Sequence, residues 1–338
     1  MISLTLCRRI LLALSVTGAA LIAQSCKPRC TFHQNSGFIF GTQYHISYEH
    51  TQDIKKGIKS HLELIDSRLS TFNPLSTISQ INQGKSVALD SLTEHVIRLA
   101  LSVSHNTNGA FDITVAPLVN AWGFGFNNTN NIQPKQIDSI MSHVGYKKIS
   151  VYDHQLIKHQ PDIMLDCSGI AKGYACDVVA DYMDSLNIKN YLIEIGGEIR
   201  VKGVNKSREI WSIGISDPTD DSTHTVPRNS LSVIKISDTG LATSGNYRNF
   251  YYKNGKKYAH TIDPRTGYPA QTDILSATVI APTCAEADAY ATAFMTLGLD
   301  SAKAILSTQQ HLKAYFIYTD QTGEMNTWFS NNTQNPQQ

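Results

Sequence analysis

Asp288 and Thr292 stand four residues apart in Glu286-Ala287-Asp288-Ala289-Tyr290-Ala291-Thr292, a segment with helical character. On a helix they share one face, about 6 Å apart along the axis. A carboxylate and a hydroxyl so placed can share a hard cation. Magnesium takes few protein oxygens and completes its shell with water and substrate phosphate. The same spacing also describes a polar stripe on a solvated helix, and taken alone the stripe is the stronger reading. A second segment, Asp166 to Ala175 (DCSGIAKGYA), runs from the end of an apolar stretch into a helical pattern. That arrangement offers free backbone N–H groups and a positive dipole end to a phosphate, or is only a tight turn. It is neither GxGxxG nor a Walker A loop. A third segment gathers Thr243-Ser244-Gly245-Asn246-Tyr247-Arg248 and His260-Thr261-Ile262-Asp263-Pro264-Arg265-Thr266-Gly267. His260 is its natural proton carrier near neutral pH. The chain has 12 histidines, so a structural role is the competing reading.

These residues need elements to position them. Alternation predicts a strand over Phe38 to Tyr48, and helical spacing of apolar residues predicts a helix over Ile54 to Leu69. Further helices are expected over Leu92 to His105, capped by Thr93, and over Ile137 to Val144 after Pro134. Short apolar strands are expected at Ile149–Tyr152, Ile163–Leu165, Tyr191–Ile195, Trp211–Ile215, Ser232–Ile236 and Leu275–Ile280. Helices over Ala171–Leu186, Ala285–Leu297 and Ser301–Gln309 and a closing strand at Ala314–Tyr318 complete the body. There is no internal repeat, heptad or charge block. The expectation is one α/β (α+β) domain over 38–330, with a mixed sheet and flanking helices.

The 29 Lys and Arg nearly balance the 28 Asp and Glu, which leaves no long-range field to gather nucleic acid. At the N-terminus, Arg8 and Arg9 precede the apolar run Ile10 to Ala23, the pattern of a secretory signal over residues 1–25. Ala23-Gln24-Ser25-Cys26 resembles the site where bacterial lipoproteins are cleaved and acylated, which makes Cys26 the expected lipidation site. Simple cleavage and a retained anchor are the alternatives. Residues 26–37 are turn-rich and read as a tether, and 331–338 as a polar, disordered tail. The localisation expected is an exported lipoprotein facing the periplasm, with the inner membrane favoured. Among the 6 cysteines, Cys167, Cys176 and Cys284 read as small buried residues, because no zinc-type spacing joins them.

Taken in order along the chain, these segments resemble the ApbE-type FAD:protein FMN transferases. The resemblance covers about Phe38 to Tyr318. It rests on Phe40-Gly41-Thr42, Leu69-Ser70-Thr71-Phe72, Gly109-Ala110-Phe111-Asp112, Trp122-Gly123-Phe124-Gly125, the Asp166 to Ala175 loop, Glu194 to Arg200 (EIGGEIR) and both later motifs. It implies an ApbE-like body with a T-fold-like core, and Mg²⁺ held by Asp288, Thr292 and the Gly169 carbonyl. It implies FAD contacts from Phe40, Phe72, Ala110, Phe111, Asp112, Asp166, Lys172 and Ile262, with Phe72 able to stack on a ring. His260 is then the candidate proton acceptor, and Lys172 with Arg265 would neutralise diphosphate charge. The implied partner is an exported or membrane redox protein carrying a threonine in an Asp/Ser-Gly-Ala-Thr-type motif. Two competitors use the same site: hydrolysis of FAD to FMN and AMP, and FAD binding without catalysis. Phe40 stands where Met is common, Cys167-Ser168 replaces a Leu-Gly or Leu-Ser pair, and Asn246 replaces an Asp. The last change removes a charge that could position Arg248 or a substrate hydroxyl.

Overall fold

A computed structural model describes residues 30–125, 133–218, 230–246, 250–253 and 256–330. The signal, Cys26, Arg248 and the tail fall outside them. The first element begins earlier than the tether reading allows: β1 spans Thr31–Ile39 and pairs residue for residue with β2, Thr42–His50. Between them Phe40 and Gly41 both adopt positive φ (52° and 72°), the requirement of a two-residue hairpin turn. The single strand expected over Phe38 to Tyr48 is therefore a turn followed by a second strand. Asn35 fixes the pairing, since its Nδ2 donates to the Tyr48 hydroxyl across 2.8 Å in a buried contact.

Three helices follow: α1 (Lys55–Leu69), α2 (Thr77–Asn82) and α3 (Ser91–Asn106). The cap of α3 is Asp90, not Thr93: Asp90 Oδ1 accepts the Thr93 N–H at 2.9 Å, and the Thr93 side chain is buried. Next come α4 (Ala116–Ala121), α5 (Pro134–Met141) and the hairpin β3 (Ile149–Tyr152) with β4 (Gln155–Lys158). The strand expected at Ile163–Leu165 does not form. The Asn82 side chain instead accepts the Leu165 N–H (2.7 Å) and donates to its carbonyl (2.8 Å), taking the place of a neighbouring strand.

The remainder runs α6 (Ala171–Ser185), β5 (Tyr191–Ile195), β6 (Glu198–Lys202), β7 (Trp211–Ser216), β8 (Ser230–Ile236), β9 (Thr239–Gly245), β10 (Phe250–Lys253), β11 (Lys256–Ala259), β12 (Ile274–Ala281), α7 (Cys284–Leu297), α8 (Leu299–Thr308), β13 (Lys313–Thr319) and β14 (Met325–Phe329). The closing strand is thus β14, one hairpin beyond the expected one. The central sheet has the order β1-β2-β5-β6-β9-β12-β13-β14. Every pairing in it is antiparallel, which corrects the expected mixed sheet within an α+β body. The large core packs the helices on one face, and the β7–β8 hairpin covers Ile199, Leu241, Ile280 and Ile317 in a second cluster.

Helix α7 is buried around nearly its whole circumference, as its Ala-rich sequence requires. Its first turn is held from α6, where Asp177 accepts the N–H groups of Cys284 (2.9 Å) and Ala285 (2.8 Å). Burial pushes the Asp177 carboxyl up to about 6, against those two bonds and Arg200. A raised native pKa means that the folded state binds more protons than the unfolded one between about pH 4 and 6. The group's contribution therefore falls as pH rises through that window, by up to about 3 kcal/mol. Asp177→Asn cannot titrate there. The stability advantage of the parent chain over this variant should shrink from pH 4 to pH 7 in paired denaturant titrations; a constant gap would contradict the buried-carboxyl account.

Candidate active site

One cleft of about 1310 Å³ lies where α6, α7, the β1–β2 turn and the ends of β6 and β9 meet. Its wall includes Phe40 from the hairpin turn, Phe72 after α1, and Ala110, Phe111 and Asp112 after α3. It also includes Asp166, Gly169 and Lys172 leading into α6, His260 and Ile262 after β11, and Asp288 and Thr292 on α7. The chain thus brings twelve separately expected residues to one cavity. It is larger than the roughly 300–1,000 Å³ usual for a small-molecule pocket, which leaves room beside a ligand.

The acidic wall settles what spacing could not. Asp288 is 2% exposed, so the pair is not a stripe on a solvated face. Asp288 Oδ2 accepts the Gly173 N–H at 3.0 Å. Gly173 allows this approach, because a Cβ there would lie 2.3 Å from the Cys284 carbonyl oxygen. A Cβ on Gly169 would come within 3.1 Å of Thr292 Oγ1, so the loop backbone lies directly against that hydroxyl. Asp288 and Thr292, with the Gly169 backbone beside the hydroxyl, offer oxygen donors of the kind magnesium takes alongside water and phosphate. Burial raises the Asp288 carboxyl, opposed by the Lys172 charge and the Gly173 N–H.

Lys172 is half-buried and lies 3.0 Å from Glu198 Oε1. Burial alone would lower its ammonium, but Asp288 and Glu198 hold it well above the usual lysine range. Glu198, at the start of β6, is itself buried and on the cleft wall. Sequence reasoning included it in the Glu194 to Arg200 motif and gave it no role. Its signal was present only as an unexplained carboxylate after two glycines.

An aromatic array from separate segments reaches His260 through Phe124. Trp122 stacks on Tyr258 (5.6 Å) and Tyr258 on Tyr251 (5.4 Å); Phe124 lies 5.4 Å from Tyr251 and meets His260 edge-on at 6.4 Å. Trp122 Nε1 donates to the Gly267 carbonyl at 2.8 Å, tying this array to the turn beyond His260. Asn246 joins two segments of the wall. Its Oδ1 accepts the Thr261 hydroxyl at 2.8 Å, which links the end of β9 to the residue after His260.

Three expected contacts look different in the structure. Asp112 is buried, and its carboxylate accepts the Thr114 N–H and hydroxyl and the Tyr146 N–H, so it shapes the loop that carries Ala110 and Phe111. Asp166 Oδ1 likewise accepts the Ser168 N–H at 2.8 Å and bends the loop toward α6. Arg265 is absent from the cleft wall. Its guanidinium donates to both Asp263 oxygens (2.9 and 2.8 Å) and to the Thr296 carbonyl (3.0 Å). A cation committed to a neighbour two residues away is a clamp on the turn, not a diphosphate ligand. Cys167, Cys176 and Cys284 are buried free thiols, as expected.

Residues 40–316 match the model of the ApbE family. The FAD:protein FMN transferase of Vibrio cholerae serotype O1 is 35% identical over 311 residues, covering 89% of this chain and 91% of the relative. The FAD:protein FMN transferase of Haemophilus influenzae is 33% identical over 94% of this chain and 95% of its own length. Among solved structures, the flavin transferase ApbE from Vibrio cholerae superposes with a TM-score of 0.80 at 32% identity, covering 89% of this chain and 98% of that one. The Pseudomonas stutzeri flavinyl transferase ApbE gives 0.79 at 27% identity over 90% and 96%.

Proposed function

The chain belongs to the ApbE family, and we propose that it is an FAD:protein FMN transferase, moving the FMN half of FAD onto a hydroxyl of a target flavoprotein with release of AMP. The observation that carries this reading is the meeting of the buried Asp288 with Thr292, Lys172 and His260 in one cleft, in a chain related to transferases over most of its length. In the reaction, the acceptor threonine oxygen bonds to the FMN-side phosphorus and the P–O bond to AMP breaks. His260 takes the hydroxyl proton and passes it to solvent. The Lys172 ammonium faces the diphosphate and offsets its charge. Phe40 and Phe72 offer flat surfaces for flavin or adenine. Asp288, Thr292 and the Gly169 carbonyl would hold Mg²⁺, which when bound withdraws charge from the diphosphate.

The test uses the full chain with FAD, Mg²⁺ and an acceptor protein bearing the threonine motif. A covalent FMN adduct by intact mass, with AMP appearing only when acceptor is present, is the expected result. Intact acceptor and intact FAD would refute transfer, and rapid AMP release without acceptor would show hydrolysis instead.

The location belongs to the same proposal. Arg8 and Arg9, the apolar run after them and the small residue before Cys26 support export and lipidation at Cys26, so the enzyme acts on exported or membrane redox proteins at the periplasmic face. Cys26→Ser should move the chain from the membrane to the soluble fraction; unchanged membrane association would argue for a retained anchor.

A further inference from the structure

Glu198 is 4% exposed, opens β6 directly after Gly196 and Gly197, and lines the cleft together with Lys172 and Asp288. Its two oxygens are treated differently. Oε1 meets the Lys172 ammonium at 3.0 Å, while Oε2 is buried without a hydrogen-bond partner. The Gly196 turn packs close by, since a Cβ at Gly196 would sit 3.4 Å from Oε2. The backbone is pinned as well: Cys176 Sγ donates to the Glu198 carbonyl at 3.4 Å. Two carboxyl groups therefore act on one ammonium in a largely buried wall, where burial pushes Glu198 up to about 8 against the pull of Lys172.

Such a cluster is a poor stability device. Burying a charge is costly unless all of its hydrogen-bonding capacity is met, and here one oxygen goes unmet. Its geometric effect is specific, however. Lys172 lies within the field of both Asp288 and Glu198, and a lysine side chain has many rotamers to choose from. The ion pair with Glu198, 3.0 Å from Oε1, selects one of them.

We propose that Glu198 is a positioning residue for FMN transfer, acting through Lys172: it fixes the ammonium on the cleft wall so that the FAD diphosphate meets a cation already in place. The inference rests on the transferase reading above. A displaced cation costs rate rather than binding, because charge that is still developing needs a pre-set partner.

The experiment is a double-mutant cycle on the full chain, with Glu198→Gln, Lys172→Met and the double variant, followed by single-turnover FMN transfer to acceptor. Glu198→Gln should slow transfer by about 10²-fold, with FAD affinity changed less than threefold by flavin fluorescence and no fall in melting temperature. In the Lys172→Met background the same change should cost nothing further, since a residue acting through Lys172 has nothing left to position. Glu198→Asp, which keeps the charge on a shorter arm, should fall between the parent and Glu198→Gln. Independent, additive losses would overturn the proposal, as would a lowered melting temperature with an unchanged rate. If the parent chain itself transfers no FMN, the functional reading falls, a result distinct from additivity in an active enzyme.

Discussion

Asp288→Asn is expected to slow FMN transfer by about 10³-fold and to leave the fold intact. Asparagine is nearly isosteric with aspartate, and its carbonyl oxygen can still accept the Gly173 N–H that Asp288 receives at 3.0 Å. The change therefore removes charge while keeping the contact between α6 and α7. Burial already pushes this carboxyl up, so neutralising it relieves a cost in the native state. The melting temperature should stay level or rise. Activity should not survive, because the hydroxyl of Thr292 and a backbone carbonyl are weak donors without the carboxylate. A catalytic divalent ion supplies several kcal/mol of charge stabilisation, which is about three decades in rate. Raising Mg²⁺ should recover little. Two measurements decide the matter: intact-mass kinetics of acceptor flavinylation across a Mg²⁺ series, and thermal melting with and without the ion. A rate within tenfold of the parent, or an equal Mg²⁺-dependent melting shift in both proteins, would remove Asp288 from the metal site.

How much of this was legible in the sequence depends on the range of the interaction that fixes each residue. The Asp288–Thr292 spacing is a helix property and was visible, but whether that face is wet or buried depends on what surrounds α7. The Ala, Phe and Met residues around the helix carry that information, and the 2% exposure of Asp288 follows from them. Arg265 misled for the opposite reason. It was paired with Lys172 as a cation at the diphosphate, yet the turn brings Asp263 within 2.8 Å of the guanidinium and engages it locally. The hairpin turn at Phe40 and Gly41 was hidden because one aromatic residue with positive φ interrupts what otherwise reads as one continuous alternating strand. Glu198 had no local signature, since its partner Lys172 belongs to the preceding helix and the pair exists only once β6 lies against α6.

His260 provides the second large effect. If it accepts the proton of the attacking hydroxyl, His260→Ala should slow transfer by about 10² to 10⁴-fold, the usual worth of a positioned base. Loss of the ring would also disturb packing against Phe124, whose centroid is 6.4 Å away, so the alanine variant alone confuses proton transfer with cleft shape. His260→Phe separates them. A phenyl ring preserves an edge contact with Phe124 but carries no nitrogen. Proton transfer predicts that the two variants are equally slow, whereas a shape role predicts that phenylalanine is nearly normal. The alanine variant supplies a further check, because the space left beside Phe124 opens onto a cleft of about 1310 Å³ that a small base can enter. Added imidazole should then raise the rate of His260→Ala in proportion to its free-base concentration and leave His260→Phe unaffected. Equal stimulation of both variants, or of the parent, would mean that imidazole acts elsewhere and that the proton leaves by another route. FAD affinity should change little in either variant, because the group is needed when the hydroxyl attacks and not when the dinucleotide binds.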